Sequence, residues 1–235
     1  MARVLIVVPC YNEAKRLDVE AFRAFALPGH DVEFRFVDDG STDETVARLN
    51  GMSVQRLERN FGKAEAVRRG VLAALAEKPD YVGYWDADLS APLSELGAFV
   101  TLCESRPDVD VVIGSRVKLM GRSIERLAWR HYLGRFGATL VSLTLDLPIY
   151  DTQCGAKLFR VTDLLARVFA EPFLTRWVFD VEILARLLSM EPRSAAAIYE
   201  LPLDQWTFAP GSKVKPGDFG RALVDLATIK RRYRI

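Results

Sequence analysis

The chain has 235 residues, half of them hydrophobic, enough to bury a substantial core in one large domain or two small ones. Its 32 basic and 31 acidic residues leave a net charge of +1, which excludes a nucleic-acid binder that relies on bulk charge. Two histidines, His30 and His131, are too few for a His-based zinc centre, and three cysteines without paired spacing (Cys10, Cys103, Cys154) are expected as reduced thiols of a cytosolic protein.

Along the chain, short β-rich runs alternate with helical patterns. Residues 4–8 read as a strand, 13–26 as a helix, and 32–37 as a strand running into the turn-rich Asp38-Asp39-Gly40-Ser41-Thr42-Asp43. Residues 45–49 read as a short helix, 54–57 as a strand, 63–77 as a helix and 81–85 as a strand. A helix over 92–104 has Pro92 in its first turn, and a strand follows at 109–113. This alternation predicts an α/β chain with a single mostly parallel sheet flanked by helices. Ligands of such sheets sit beyond the carboxyl ends of the strands, so residues 9–13, 38–43 and 86–90 should meet in one crevice. After residue 113 the pattern changes to a polar, basic loop over 114–126 and a long helical stretch over 127–145. Then come a turn at 151–155, a strand at 157–161, a helix at 179–190, a strand at 195–201 and a basic amphipathic helix at 219–232.

The segment Tyr81-Val82-Gly83-Tyr84-Trp85-Asp86-Ala87-Asp88 is an apolar strand ending in two carboxylates. Hard divalent cations take oxygen ligands, and Mg²⁺ or Mn²⁺ commonly bridges one or two carboxylates to substrate phosphates. A plainer reading is that Asp86 and Asp88 only end the strand and cap the helix that starts near Pro92. No glycine-rich dinucleotide fingerprint and no Walker sequence follows the first strand, which ends instead in Pro9-Cys10-Tyr11-Asn12-Glu13. Asp39, at the second strand end, can accept from a base N–H or a ribose hydroxyl, or simply sit in a tight turn. Arg116, Lys118, Arg122 and Arg126 lie within eleven residues, with Ser115 and Ser123 beside them. Guanidinium grips phosphate through paired donors, so the cluster suits an anionic acceptor, although a solvated basic loop has the same composition. Asp180 and Glu182 are two apart on a helix and point apart, so at most one faces the crevice while the other is a salt-bridge or surface residue.

Val7-Val8-Pro9-Cys10-Tyr11-Asn12-Glu13, Val37-Asp38-Asp39-Gly40-Ser41-Thr42-Asp43 and Asp86-Ala87-Asp88 occur in the order and spacing of the family-2 glycosyltransferases, which the chain resembles. Asn60-Phe61-Gly62-Lys63-Ala64-Glu65-Ala66-Val67-Arg68-Arg69-Gly70, Gly114-Ser115-Arg116, Asp151-Thr152-Gln153-Cys154-Gly155-Ala156-Lys157-Leu158-Phe159 and Arg176-Trp177-Val178-Phe179-Asp180-Val181-Glu182 look like the dolichyl-phosphate glucosyltransferase branch. Dolichyl-phosphate mannose synthases are close relatives of that branch. The resemblance covers residues 3–232. It implies a GT-A fold, inversion at the anomeric carbon, and a nucleotide-diphosphate sugar used with Mn²⁺ or Mg²⁺.

Carried over residue by residue, Pro9, Tyr11, Glu13 and Asp39 would hold the base and ribose. Asp86 and Asp88 would face the ribose and the metal-bound diphosphate, as catalytic and metal-binding residues, with Asp88 foremost as ligand. Gly62, Lys63, Ala87 and Gln153 are implied as substrate-binding, and Asp151 as a third catalytic candidate that orients the acceptor. The resemblance makes that acceptor a polyprenyl phosphate, its head group met by Ser115, Arg116, Arg122 and Arg126. Lys213, in Gly211-Ser212-Lys213, would close over the donor diphosphate. Mannose synthases continue Asp-Ala-Asp-Leu with Gln where this chain has Ser90, which favours the glucosyl branch, with UDP-glucose the first donor and GDP-mannose the second. One domain over 1–235 is implied, residues 1–114 forming the nucleotide-sugar half and 115–235 the acceptor side. Hexosyl transfer to a soluble acceptor and a non-catalytic nucleotide-sugar-binding protein are the alternatives.

No run of about 18 apolar residues is present, and residues 4–8 are too short for a signal-peptide core. The expectation is a cytoplasmic protein, peripheral at the membrane face. Basic residues over 230–234 follow an apolar-faced helix and would attract anionic lipid, though basic residues also favour helix ends for their own sake.

Overall fold

The computed structural model describes residues 1–125, 128–208 and 218–235, with backbone alone over 128–136 and 218–219. The first strand, β1 (Arg3–Cys10), is built from β-branched and leucine residues, and Val4 to Val8 are fully enclosed. Burial on both faces is what a central strand of a parallel sheet requires. Then follow α1 (Val19–Ala24), β2 (Asp31–Asp38), α2 (Thr45–Arg48), β3 (Ser53–Arg56), α3 (Lys63–Leu75) and β4 (Tyr81–Trp85). The chain continues through α4 (Leu96–Ser105), β5 (Val111–Ser115), β6 (Ser123–Ile124), α5 (Ala128–Leu145), β7 (Ala156–Arg160) and α6 (Asp163–Ala170). It closes with α7 (Phe179–Met190), β8 (Ile198–Pro202), β9 (Gln205–Trp206) and α8 (Asp218–Tyr233).

Among the described residues, seven strands form one sheet in the order β3-β2-β1-β4-β7-β5-β8, while β6 and β9 pair separately. The sheet is mostly parallel, as expected; β7 runs antiparallel between β4 and β5. Leu5 and Val7 of β1 enter one core with α3, α6 and α7, and Val4, Ile6 and Val8 enter the other with α1 and α4. This is the two-residue alternation of a strand covered on both sides. On the α1 side Phe22 meets Phe34 and Phe36 edge-on, with both centroid distances 5.1 Å.

Strand order reverses at β1. The chain goes outward through β2 and β3 on one side, then returns to place β4 on the other. The two strand ends diverge there and open a crevice beyond their carboxyl termini, the usual ligand position in open α/β sheets.

Several elements differ from the sequence expectation. The helix read over 13–26 is confined to Val19–Ala24, where the Asp18 side chain caps it by accepting from Ala21 N–H. Residues 13–17 turn instead, because Asn12 adopts a left-handed φ of 52° and Glu13 N–H is taken by Thr45 Oγ1. Helix α6 was not anticipated; Thr162 caps it by accepting from Leu165 N–H. Gly114 and Ser115 belong to β5 and not to the basic loop, and residues 195–197 lie in a 3-10 turn (Pro192–Ala197) ahead of β8.

Candidate active site

Two strand-end loops are stitched together before any side chain is free to bind a ligand. Asp39 N–H donates to the Cys10 carbonyl at 2.8 Å. Asn12 N–H donates to Ser41 Oγ and Thr42 N–H to Asn12 Oδ1, both at 2.9 Å. Gly40 sits at φ 71°, and a Cβ there would lie 2.6 Å from the Arg59 backbone, so only glycine allows the loops this close. The Asp39 carboxylate accepts from Phe61 N–H and Gly62 N–H, each at 2.7 Å. Burial raises its pKa, and those two bonds counteract the rise. Asp39 thus pins the loop that enters α3 and fixes Lys63 at the first position of that helix. Each carboxylate oxygen keeps a second lone pair with which it can also serve a ligand.

The acidic centre is built from the end of β4. Asp86 N–H donates to the Gly155 carbonyl at 2.9 Å, and Ser90 N–H to Asp88 Oδ1 at 3.1 Å. A Cβ on residue 155 would fall 1.9 Å from Asp86 Oδ2, so the glycine makes room for that carboxylate. Lys63 Nζ lies 2.5 Å from Asp86 Oδ1, and Arg16 reaches to 3.6 Å from Asp88 Oδ2 while pairing with Glu13 at 2.5 Å. Burial pulls the Lys63 pKa down, but the charges of Asp86 and Asp180 outweigh it and the net shift is upward. The side chains of Asp86 and Asp88 are 36% and 20% exposed, so both carboxylates remain reachable. Among the described residues no group of three or more His, Cys, Asp or Glu gathers into a complete metal cage. Two carboxylates opening on a cleft still suit a hard cation that completes its shell with ligand oxygens and water.

These groups share a cleft of about 450 Å³. Of the residues expected from the sequence, Pro9, Tyr11, Glu13, Asp39, Gly62, Lys63, Asp86, Ala87, Asp88, Arg116 and Gln153 line it together. Ser115 does not, being enclosed within β5. Asp151, expected as catalytic, is not on the lining either. Its oxygens take Arg116 Nε at 2.6 Å and Nη2 at 2.7 Å, while Arg116 N–H donates at 3.0 Å. Glu200 in turn accepts from Tyr150 N–H at 2.8 Å and Asp151 N–H at 2.6 Å, so a strand of the main sheet holds the loop that holds the arginine. Arg116 lies 5.5 Å over the Trp206 ring. Arg122 is placed elsewhere: it pairs with Asp204 and donates to the Pro202 carbonyl at 3.3 Å, away from the cleft lining. Arg126 and Lys213 lie outside the described residues. Cys154 is fully buried, and burial pushes its thiol up to about 11, which rules it out as a thiolate nucleophile near neutral pH.

The structure adds residues that the sequence reading left out of the site. Arg16, Asn60, Trp177, Asp180 and Trp206 also line the cleft. Trp177 and Asp180 stand within the Arg176–Glu182 motif, which was therefore the available signal; Trp206 lies on a two-residue strand that leaves none. Of the pair Asp180 and Glu182, the first faces the cleft. Glu182 is wholly buried, pairs with Arg186 at 2.8 Å and accepts from Leu174 N–H and Thr175 N–H, as the helical spacing requires.

Known proteins bear directly on this geometry. A family model described as Glycosyl transferase family 2 matches residues 5–165. The dolichyl-phosphate beta-glucosyltransferases of Mus musculus and Homo sapiens are 34% and 30% identical, each over 97% of this chain and 75% of the relative. Glucosyl-3-phosphoglycerate synthase from Mycobacterium tuberculosis, solved with Mn²⁺, uridine-diphosphate and glucosyl-3-phosphoglycerate, superposes with a TM-score of 0.68 at 19% identity. That match covers 100% of this chain and 81% of the synthase. Mannosyl-3-phosphoglycerate synthase from Rubrobacter xylanophilus gives a TM-score of 0.69 at 20% identity, over 99% and 74% of the two chains. These structural likenesses are likenesses of fold, the GT-A arrangement. With a family match that runs from β1 into α6, and a strand-end Asp-x-Asp lying where the sheet reverses its order, the chain belongs to glycosyl transferase family 2 and is a glycosyltransferase.

Proposed function

We propose that this enzyme transfers a hexose from a nucleotide-diphosphate sugar to a polyprenyl phosphate, with UDP-glucose the first donor and GDP-mannose the second. The observation that carries the reading is Arg116, a guanidinium gripped by Asp151 and held in the same cleft as Asp86 and Asp88. An anionic acceptor needs such a group beside the donor, and the identity to dolichyl-phosphate beta-glucosyltransferases over nearly the whole chain supports the lipid.

On this reading, Pro9, Tyr11, Glu13 and Asp39 form the base and ribose end. Lys63 meets the diphosphate, and Gln153 lies within reach of the transferring group. Asp86 and Asp88 would hold Mn²⁺ or Mg²⁺; two hard carboxylates that stay reachable from the cleft fit such an ion. When bound, the cation would offset charge on the leaving diphosphate. Arg116 orients the acceptor phosphate toward the anomeric carbon. A phosphate monoester is mostly ionised near neutral pH, so it attacks without a strong general base. The new carbon–oxygen bond forms as the bond to the nucleoside diphosphate breaks, on the opposite face, and the configuration inverts. Positioning does most of the work in such a step.

An exposed apolar loop tip supports placing the enzyme at a membrane surface. Met120 is fully exposed and Leu119 half-exposed at the tip of a loop that also carries Lys118. Apolar side chains flanked by basic ones suit the interface where a polyprenyl phosphate head group lies. No helix among the described residues is long and apolar enough to cross a membrane. A cytoplasmic-face, peripheral position follows from this proposal.

The test is transfer of labelled sugar by the purified protein with Mn²⁺, using a short polyprenyl phosphate in detergent or 3-phosphoglycerate in water as acceptor. Label from UDP-glucose should enter the lipid. Label entering phosphoglycerate alone would move the enzyme to a soluble acceptor, and a preference for GDP-mannose would reverse the donor order.

A further inference from the structure

A buried ion pair under the cleft floor has no part in the transfer scheme above. Lys157 of β7 lies opposite Tyr84 of β4 in the sheet register and is 1% exposed. Its ammonium donates to the Cys154 carbonyl and to Asp180 Oδ1, both at 2.6 Å. The fully buried Tyr84 hydroxyl donates to the same Asp180 oxygen. A phenol is protonated at neutral pH, so Tyr84 can keep this bond. An ammonium buried this deeply is costly unless it is matched, and an apolar side chain at residue 157 would fill the core with no such demand. The arrangement therefore points to a task for its partner, Asp180.

Asp180 is only 5% exposed, yet it lines the cleft. Both buried donors converge on Oδ1, and no described residue donates a hydrogen bond to Oδ2. Lys63, which touches Asp86, also feels the Asp180 charge. The nucleotide-sugar reading puts the donor diphosphate at Lys63 and Asp86, and the next group along the donor is the hexose. A carboxylate accepts only, and sugar hydroxyls are donors in search of one. A site that hydrogen-bonds a substrate hydroxyl also discriminates strongly against a sugar that presents it differently. Resting on that reading, we propose that Asp180 accepts hydrogen bonds from hydroxyls of the transferred hexose and selects the sugar, with Lys157 and Tyr84 as positioning residues that fix its carboxylate.

The test is calorimetry, in the presence of Mn²⁺, of UDP, UDP-glucose and UDP-galactose against the wild type, Asp180→Asn and Tyr84→Phe. Asp180→Asn should leave UDP affinity within about twofold and weaken UDP-glucose roughly tenfold or more, the loss of a hydrogen bond to a charged group. The preference for UDP-glucose over UDP-galactose should shrink with it. Tyr84→Phe keeps the ring, removes one tether and should give a smaller loss of the same kind; it carries the test alone should Asp180→Asn not fold. Equal losses for UDP and UDP-glucose, or an unchanged UDP-glucose affinity in a folded variant, would overturn the proposal and leave the pair structural. A wild type that binds no UDP compound and instead binds GDP and GDP-mannose would move the same comparison to that pair, with the same expected split. Binding of neither class would overturn the donor reading, and this proposal with it.

Discussion

Asp151 and Arg116 share two side-chain hydrogen bonds and a backbone contact, yet only the arginine reaches the cleft. On the proposed reading, that makes Asp151 a positioning residue. Asp151→Asn keeps the size and removes the charge, and should cost roughly 2–4 kcal/mol because it leaves a partly buried guanidinium without its counter-charge. The KM for polyprenyl phosphate should rise about tenfold, an estimate from lost positioning of one ionic contact, while donor affinity and the pH–rate profile stay as in the wild type. A lost basic limb in that profile would instead make Asp151 a proton acceptor. The residue types at the strand ends were legible in the sequence because their chemistry is local: a strand that stops in Asp-x-Asp declares its carboxylates. Their partners were not. Asp39 meets Phe61 and Gly62 across 22 and 23 residues, and Arg116 meets Asp151 across 35. Such pairings follow from topology, which spacing does not state. The same holds for Arg122, whose charge meets Asp204 of the segment that leads into β9.

Helix α3 brings Lys63 to the cleft and lies directly on β1 and β2. A Cβ at Gly70 would sit 2.5 Å from Val7 Cγ1 and 2.7 Å from Val37 Cγ2. Two effects oppose each other in Gly70→Ala. Helix propensity gains about 1 kcal/mol, and overpacking against two β-branched residues costs about 1–3 kcal/mol. The close approach should win, with a net loss of about 1–2 kcal/mol in urea unfolding. A more stable variant would show that the helix can slide off the sheet without penalty. Helices with several turns, such as α3 and α7, were legible because their period is long enough to read, and β4 because it is a continuous apolar run. The two-residue strands β6 and β9 carry no period at all. The direction of β7 was equally hidden, since an apolar run reads the same parallel or antiparallel. Helix α6 was readable in principle: Thr162 followed by buried Leu165, Val168 and Phe169 is a capped amphipathic turn.

The whole molecule joins both portions of the chain in one sheet, because β7 inserts between β4 and β5. The Asp86 carboxylate at the end of β4 therefore depends on Gly155, just ahead of β7, and Arg116, just beyond β5, depends on Asp151 and Glu200. On the proposed reading, donor-side and acceptor-side groups are held by the same strands, which suits a reaction in which two substrates must be aligned within a fraction of an ångström. The alternation of strands and helices made the fold class legible, and the fold class alone predicted a crevice at the strand ends. The contacts that fix its side chains, such as Gly155 against Asp86 and Glu200 behind Asp151, had to be seen in three dimensions. The most direct measurement is calorimetry of UDP-glucose with Mn²⁺ against the wild type and Asp88→Asn. The wild type should bind the donor in a Mn²⁺-dependent manner, and Asp88→Asn should weaken that binding by roughly tenfold or more, the expected loss of one charged contact, with the thermal unfolding temperature unchanged. Equal, metal-independent binding by both proteins would contradict a nucleotide-sugar site centred on the Asp86–Asp88 pair.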